Sequence, residues 1–352
     1  MSTIANGTND GSSNETGMSS AGVGTAAPPA GGPGESSGPS RSSNRKLPET
    51  AALFAVLVLL GAVFATQSSF FLTGHNFLNI LVNASVIGII AAPATLLLVA
   101  GQFDLSVGSG AAFIGVVMAW GDARYGVTQA ILLCLLAGLV IGMLNGFFVT
   151  VLGINALITT LGMLAILRGV GEVIADGQTL LLPNFSTIGT ARPFLSIPIP
   201  ALIFTAVVIG MGLIMRFTVY GRSMYAIGAN PVAARLAGIR TRTAIFAGFV
   251  LSGVAIFVGG LILASQLGAA SPQAATGLEL SVVTAVILGG ASLAGGRGTI
   301  LGTLLGILIL TTLNNGLTLL NINSFYQDVA RGGLLLAAVG FDQLRLRLLE
   351  KR

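Results

Sequence analysis

Residues 127–151 read VTQAILLCLLAGLVIGMLNGFFVTV and contain no charged side chain. An α-helix needs about 20 predominantly apolar residues to cross the hydrocarbon core of a bilayer, so this stretch is long enough to span a membrane. The rest of the chain has the same character: of 352 residues, 53% are hydrophobic and 8% are charged, and the mean hydropathy is +0.90. Soluble domains average about 25% charged residues. These values predict an integral membrane protein and exclude a secreted disulfide protein, a soluble cytosolic enzyme and a wholly disordered chain.

Similar apolar runs follow one another from residue 51 onward, which predicts an all-α polytopic membrane protein with about ten transmembrane helices. Fusing two pairs of runs would give eight spans instead, and this alternative stays open. Several runs are shorter than a straight crossing requires, which favours discontinuous helices shielded by neighbouring protein. The predicted spans are 51–67, 83–101, 105–121, 127–151, 155–175, 198–216, 243–265, 281–295, 298–320 and 324–341.

Composition divides the chain into parts. Residues 1–46 are rich in Ser, Gly, Thr and Pro with few large apolar side chains, which predicts a disordered cytoplasmic tail. Residues 47–345 hold the predicted spans and form the transmembrane domain. Within it, the segment 217–242 carries arginines and no acid, which predicts a cytoplasmic loop. An even number of spans on either side of that loop places both termini of a multi-pass protein in the cytoplasm.

Several residue types are scarce enough to exclude whole function classes. The only lysines are Lys46 and Lys351, so the chain has no phosphate-binding loop of the GxxxxGK[ST] type. If transport is driven by ATP, the ATPase is therefore a separate chain. The single cysteine, Cys134, and the single histidine, His75, offer no metal or redox site. The arginines stand between apolar runs, where they set orientation in the membrane rather than bind nucleic acid.

Two short motifs occur twice in the same order. Asp-Leu-Ser-Val at 104–107 is matched by Glu-Leu-Ser-Val at 279–282, and Leu-Asn-Gly at 144–146 by Leu-Asn-Asn-Gly at 313–316. In the ten-span topology, the two copies run in opposite directions through the membrane. This pattern predicts an inverted internal repeat, which many transporters use to build a pathway at the membrane midplane.

Polar residues of the repeat are candidates for a translocation pathway, because ionisable groups at membrane depth are often functional. Asp104 and Glu279 stand at helix starts, where a carboxylate also caps free N–H groups; capping is the simpler interpretation, and substrate contact or a proton relay is the alternative. The amides either bind substrate hydroxyls or join helices. The candidates are Asp104, Ser106, Asn145, Glu279, Ser281, Asn314, Asn315 and Gln327.

Glycines recur at every fourth residue in two spans, which brings them onto one helix face and lets another helix approach closely. Packing inside the bundle is the simpler interpretation, and a subunit or pathway interface is the alternative. The two sets are Gly138, Gly142 and Gly146, and Gly298, Gly302 and Gly306.

The loop after the sixth span predicts a short helix. Asn230 is a favourable N-cap, Pro231 a favourable first residue, and Gly238 a favourable stop. A short cytoplasmic helix with small side chains at Ala233 and Ala234 suits insertion into a groove of a partner protein; the alternative is a connector on the lipid surface. The predicted coupling residues are Asn230, Pro231, Val232, Ala233, Ala234, Arg235, Leu236, Ala237, Gly238 and Ile239.

This loop resembles the coupling segment of bacterial ABC importer permeases. Residues 232–238 have the spacing of their EAA-x-x-x-G signature, with Val232 in place of its Glu. Over 47–342 the chain resembles the ribose, xylose, arabinose and galactoside permeases. The matching motifs are GQFDLSVGS at 101–109, where the family usually has Gly and Ile at Gln102 and Phe103, NALITTLG at 155–162, and AVILGGASLAGGRG at 285–298.

The resemblance implies the transmembrane subunit of an ABC importer that carries a monosaccharide across the bacterial cell membrane. It also implies a partner ABC ATPase that binds ATP and Mg, an extracytoplasmic sugar-binding protein and a second permease protomer, most simply a homodimer. The chain itself is then neither an enzyme nor a holder of a cofactor or metal. The alternatives are an ion-coupled secondary transporter of a small polar solute and a passive channel.

Overall fold

A computed structural model describes residues 49–183, 185–193 and 197–350, with side chains from 50 to 340 in those ranges. The predicted disordered tail, residues 1–46, lies outside the described residues. In the described ranges the regular secondary structure is helical apart from one two-stranded antiparallel sheet, in which Leu180 pairs with Ala270 and Leu181 with Ala269.

The helices follow one another with short connections. In chain order they are α1 (Glu49–Gln67), α2 (Gly74–Val99), α3 (Val107–Tyr125), α4 (Val127–Thr150), α5 (Ala156–Ala175), α6 (Thr187–Thr190), α7 (Ile199–Phe217), α8 (Val219–Ala229), α9 (Pro231–Leu236), α10 (Thr241–Leu267), α11 (Leu278–Leu288), α12 (Ile300–Leu319) and α13 (Ser324–Glu350). The strands are β1 (Leu180–Leu181) and β2 (Ala269–Ala270).

Short polar side chains start many of these helices by accepting hydrogen bonds from first-turn N–H groups, which have no partner inside the helix. Thr73 accepts from Asn76 N at the start of α2, and Asn155 accepts from Leu157 N at the start of α5. Thr299 does the same for α12. The starts of these three helices are therefore set by local sequence, although packing holds the helices together.

Every predicted span contains a helix, and seven of the described helices are long and apolar enough to cross a membrane. The all-α polytopic architecture is confirmed, whereas the count of ten and the inverted repeat stay predictions. Three boundaries differ by seven residues or more, and one of them is the end of α13, at Glu350 rather than 341. Helix α2 begins at Gly74, nine residues before the predicted 83, because Thr73 caps it there. The eighth span, predicted to reach 295, ends as a helix at Leu288, and a glycine-rich loop continues from it.

Helix α10 lies at the centre of the bundle and packs against α4, α3 and α2. Helix α2 is also mostly buried, and it contacts α7 and α12 on its other sides. In contrast, α1 lies at the periphery and exposes most of its apolar side chains, with Phe64 packed against Gly316 of α12. Such an exposed apolar surface suits contact with lipid.

Glycines let α4 and α10 approach until their backbones touch. A Cβ at Gly142 would lie 2.5 Å from the carbonyl oxygen of Phe249 and 2.9 Å from Cα of Val250, and one at Gly138 would lie 2.7 Å from the carbonyl oxygen of Gly253. In the same way Gly306 approaches the backbone of Ala285 in α11, and Gly302 approaches that of Gly289 directly after it. The interpretation of both glycine sets as packing inside the bundle is confirmed at these positions.

Replacing Gly142 with Ala is expected to lower stability by about 1–3 kcal/mol, because the added methyl group overpacks the contact between α4 and α10. The measurement is the thermal unfolding midpoint of the purified protein in nanodiscs. Gly210→Ala in α7 is the matched control, since a Cβ at Gly210 would meet nothing within 4 Å and alanine favours a helix. Equal midpoints for the two variants would contradict the proposed close approach.

Candidate functional site

Asp104 lies in the loop between α2 and α3 at the centre of a buried polar cluster. Its Oδ1 accepts hydrogen bonds from Ser106 N at 3.0 Å and Ser106 Oγ at 2.6 Å, and its Oδ2 accepts one from Ser252 Oγ at 2.6 Å. Asn145 Nδ2 donates to Ser106 Oγ at 2.9 Å and to Asp104 Oδ1 at 3.5 Å. Asp104 is 5% exposed, and the other three residues are 1% exposed or less. Three helices, α3, α4 and α10, therefore meet at one carboxylate.

The cluster contains both predicted and unpredicted residues. The structure brings Asp104, Ser106 and Asn145 together, and the capping interpretation of Asp104 agrees with the bond from Ser106 N just before α3. Ser252 of α10 was missed, because a serine inside an apolar helix usually bonds its own backbone and carries no signal of its own. Asn145 Oδ1 is buried with no hydrogen-bond partner among the described residues, so the cluster keeps one free acceptor.

Glu279 does not repeat the role of Asp104. It lies in the first turn of α11, where its carboxylate packs against Gly108 of α3, and its Oε2 is buried without a hydrogen-bond partner in the described ranges. In the described ranges this carboxylate does not accept the expected capping bond from an N–H group of α11, because Glu279 lies inside the helix rather than before it. Ser281 donates to the carbonyl oxygen of Gly277 at 2.9 Å.

The remaining pathway candidates lie apart from Asp104, around α12. Asn315 and Asn76 donate to each other at 2.8 and 3.0 Å, which fastens α12 to the start of α2. Gln327 donates to Thr318 Oγ1 and to the carbonyl oxygen of Ile322, both at 3.2 Å. Asn314 keeps a buried Oδ1 without a partner among the described residues. Asn315 and Gln327 are thus joined to neighbouring helices and turns.

Arg168 in α5 is a candidate that the sequence pattern did not single out. Its Nε and Nη2 are buried and have no hydrogen-bond partner in the part of the chain that the structure describes. The available signal was an arginine in the middle of the apolar span predicted at 155–175, since ionisable residues at membrane depth are functional candidates.

The short helix predicted after the sixth span is present as α9. Asn230 Oδ1 accepts from Val232 N and Ala233 N, both at 3.0 Å, and Pro231 is the first helical residue. The chain leaves the helix through Gly238, whose φ is +84°. The predicted helix with its cap and stop is therefore confirmed.

One expectation about α9 is wrong. Ala234 does not face outward with Ala233: it is 4% exposed and packs inside the protomer near Ile239. The outward face carries larger apolar side chains instead, with Val232 60% and Leu236 85% exposed. Which of two adjacent alanines faces inward depends on how α9 packs against α8, which the sequence pattern does not specify.

A cavity of about 960 Å³ lies beside α9. It is bounded by the loop before Asp104, the turn into α5 and the starts of α9 and α10, and its polar lining includes Gln102, Asn155, Arg235 and Arg242. Helix α9 and the loop that leads to Asp104 therefore share one opening.

Two tyrosines of α8 tie this segment to the bundle. Tyr220 donates its hydroxyl to the carbonyl oxygen of Ala244 in α10 at 3.0 Å, and Tyr225 donates to the carbonyl oxygen of Gly298 at 2.7 Å. Burial raises the pKa of Tyr220 to about 12 and also raises the pKa of Tyr225. Both phenols therefore keep the proton that they donate.

Apolar spanning helices around a buried polar cluster, with a capped helical segment at one end, define a polytopic α-helical membrane protein of the transporter class. The chain belongs to the family described as branched-chain amino acid transport system / permease component, whose family model matches residues 76–339. The matched region includes the Asp104 cluster and α9. The resemblance to ABC importer permeases is confirmed.

Related proteins align with most of the chain. The ribose import permease of Escherichia coli (strain K12) is 39% identical over 303 residues, which cover 84% of this chain and 94% of the relative. An L-arabinose ABC transporter permease of Azospirillum brasilense is 36% identical over 84% of this chain and 88% of the relative. An autoinducer 2 import system permease of Photorhabdus luminescens is 34% identical over 84% and 89%. No solved structure matches the chain.

Family membership identifies the chain as the membrane-spanning subunit of a transporter. A permease component is the membrane-spanning transport subunit and not an enzyme, and ATP is hydrolysed by a separate ATPase subunit. An ABC importer permease also works with a substrate-binding protein. Permeases of this family have no cofactor of their own.

Replacing Asp104 with Ala is expected to cost about 3 kcal/mol or more, because the hydroxyls of Ser106 and Ser252 lose their buried acceptor. Ser252→Ala removes a single bond to the carboxylate and is expected to cost less, about 1.5–3 kcal/mol. Thermal unfolding midpoints in nanodiscs measure both.

Ser223→Ala in α8 is the control, since that exposed hydroxyl bonds the backbone of its own helix. A change below about 0.5 kcal/mol is expected for it. If Asp104→Ala were as stable as this control, the cluster would not hold the three helices together.

Proposed function

We propose that the chain is the transmembrane subunit of an ABC importer that carries a monosaccharide, a pentose, hexose or similar polyol, across the bacterial cell membrane. Residues 47–345 form the permease domain, and 217–242 form the segment that couples it to the ATPase. ATP and Mg are bound by that partner, and an extracytoplasmic sugar-binding protein delivers the substrate. The observation that carries the proposal is the capped helical segment α8–α9 in a chain whose relatives are named as sugar permeases.

The proposed substrate class follows from the relatives rather than from the wording of the family description. Two permeases named for the import of ribose and of L-arabinose align with 84% of the chain, whereas the family description names branched-chain amino acids. Uncharged amide and hydroxyl groups suit hydrogen bonds with sugar hydroxyls. Asn145 Oδ1, buried and free among the described residues, is an acceptor of this kind.

Side-chain exposure supports a protein partner at α9. Val232 and Leu236 stand on one short helix, mostly uncovered, among arginines that favour the cytoplasmic side. An apolar helix face inserted into a groove is a common mode of protein recognition. The ATPase is the partner that the family membership supplies.

A second protomer is proposed to lie along α5, with the translocation pathway between the two copies. A Cβ at Gly162 or Gly169 of α5 would meet nothing within 4 Å, and Ile158 and Ile166 are exposed on the same helix. Small residues on an exposed apolar helix favour close helix contact in a membrane. Two copies of one chain give the simplest such pair.

The orientation is proposed from charge. The arginine-rich segment 217–242 and the basic residues near both ends of the chain favour the cytoplasm. With both termini inside, the turn around β1 and β2 faces the extracytoplasmic side, where the binding protein docks.

Uptake of labelled ribose and arabinose by proteoliposomes tests the function. The vesicles hold the permease and its ATPase, with the binding protein outside, and are loaded with ATP, a non-hydrolysable analogue or no nucleotide. Uptake that needs hydrolysable ATP and competes with sugars but not with leucine supports the proposal. Uptake driven by an ion gradient without ATP would indicate a secondary transporter, and uptake without any energy source would indicate a channel.

Leu236→Asp is expected to weaken binding of the ATPase about 30-fold or more, because it places a charge in an apolar groove and a hot-spot side chain contributes about 2 kcal/mol. The stability of the permease alone is expected to stay unchanged, since Leu236 is 85% exposed. Co-purification of the ATPase and the thermal midpoint of the free permease measure the two effects.

Two comparison variants sharpen this test. Leu181→Asp changes a similarly uncovered leucine, 78% exposed, on β1, and is expected to leave co-purification unchanged. Ala234→Asp buries a charge inside the permease and is expected to lower its own thermal midpoint. Undiminished co-purification with Leu236→Asp would remove α9 from the ATPase interface.

A further inference from the structure

Three backbone segments meet without side chains between them where α8 ends. The N–H of Gly296 donates to the carbonyl oxygen of Val99 at 2.8 Å, and Gly228 of α8 lies directly against both groups. A Cβ at Gly228 would overlap the Val99 oxygen and lie 2.6 Å from Gly296 N. We call this contact the glycine clasp and define it as Val99, Gly228 and Gly296, together with the bond from Tyr225 to Gly298.

Glycines and a backbone hydrogen bond shape the loop held in the clasp. It joins α11 to α12, and it takes positive φ values at Gly290, Gly295 and Gly296 (+88°, +83° and +76°), which residues with side chains rarely adopt. A hydrogen bond of 3.1 Å from Ser292 N to the carbonyl oxygen of Arg297 closes it into a turn. The hydroxyl of Tyr225 then ties this turn to α8 at Gly298.

The opposite side of the clasp leads to the buried polar cluster. Val99 is the last residue of α2, and the chain continues through Gly101, which is close enough to contact Gly295, to Asp104. Asp104 in turn bonds Ser106 at the start of α3 and Ser252 in α10. A continuous path of backbone contacts and hydrogen bonds therefore runs from α8 to the centre of the bundle.

We propose that the glycine clasp carries the movement of the coupling helices to the Asp104 cluster, with Gly228 and Tyr225 as positioning residues for transport. This inference rests on the proposed function. Backbone atoms already in contact have no room to approach further, and close-packed protein interiors transmit a displacement rather than absorb it. A shift of α8 must then move the ends of α2, α11 and α12 together, and a bistable packed core turns such a shift into a change of state.

A second connection of α8 provides the matched control. Tyr220 makes the same kind of hydrogen bond as Tyr225 from the same helix, but its acceptor is Ala244 of α10 and lies outside the clasp. Tyr220→Phe and Tyr225→Phe each remove one hydroxyl of a half-buried tyrosine. A role in stability alone predicts similar effects for the two variants, whereas the proposal predicts uncoupling only for Tyr225→Phe.

The experiment compares these variants in proteoliposomes that hold the whole transporter, with ribose as the probe. ATP hydrolysed per sugar taken up is expected to rise at least about fivefold for Tyr225→Phe, which corresponds to about 1 kcal/mol of coupling, and to stay unchanged for Tyr220→Phe. Co-purification of the ATPase is expected to stay normal for both, because neither residue lies on α9. A normal ratio for Tyr225→Phe, or a larger rise for Tyr220→Phe, would overturn the proposal.

Gly228→Ala gives a stronger form of the same test, with Gly210→Ala as its control. The added methyl group is expected to abolish uptake while the ATPase still binds and hydrolyses ATP. If the Gly228 variant does not fold, the pair of tyrosine variants decides the question. A wild-type transporter that shows no ATP-dependent uptake would instead contradict the proposed function, so the two failures are distinguishable.

Discussion

The buried carboxylate of Asp104 is the interaction on which the arrangement of α3, α4 and α10 depends. A membrane offers no water to a polar group in its interior, so each such group must find its partners within the protein. Asp104 meets this requirement with Ser106 and Ser252, and Asn145 donates both to Ser106 and, at 3.5 Å, to Asp104 itself. The same bonds that satisfy the carboxylate fix where the three helices stand relative to one another. Any movement of one of them therefore has to preserve these bonds or exchange them.

Glycines supply the second constraint. Lipid tails are as apolar as leucine, so helices in a membrane associate through close van der Waals contact more than through exclusion of water. At Gly142 and Gly253 the backbones of α4 and α10 touch, and at Gly306 those of α11 and α12 do so. The glycine clasp applies the same solution to a loop and a helix outside the spanning core. Such backbone contacts leave no space into which a helix could shift. Together with the buried hydrogen bonds, they therefore connect distant parts of the bundle.

The sequence was sufficient for features that depend on local chemistry. Apolar runs predicted where helices lie, and Asn230, Pro231 and Gly238 predicted α9 with its cap and stop. Features that depend on packing were not predictable. Ser252 carries no pattern that marks it as a partner of Asp104, and the inward turn of Ala234 is set by α8. Glu279 begins a four-residue motif similar to that of Asp104. It lies inside its helix, at the second residue, and not before the helix start, so the two similar motifs place their carboxylates in different roles.

The short connection between the clasp and the cluster decides what a displacement of α8 can do. From Val99 to Asp104 the chain has few residues in which to absorb a shift, and both ends of the connection are held: one by Gly296 and Gly228, the other by Ser106 and Ser252. A longer or freer loop would dissipate the movement as local flexibility. Held at both ends, this loop either stays in place or moves as one piece with the start of α3. Two arrangements separated by the exchange of buried hydrogen bonds are the physical basis of a switch, since intermediate positions leave a buried polar group without a partner. The cost of unsatisfied polar groups, which holds the bundle together, is therefore also the cost that would separate two such states of this chain.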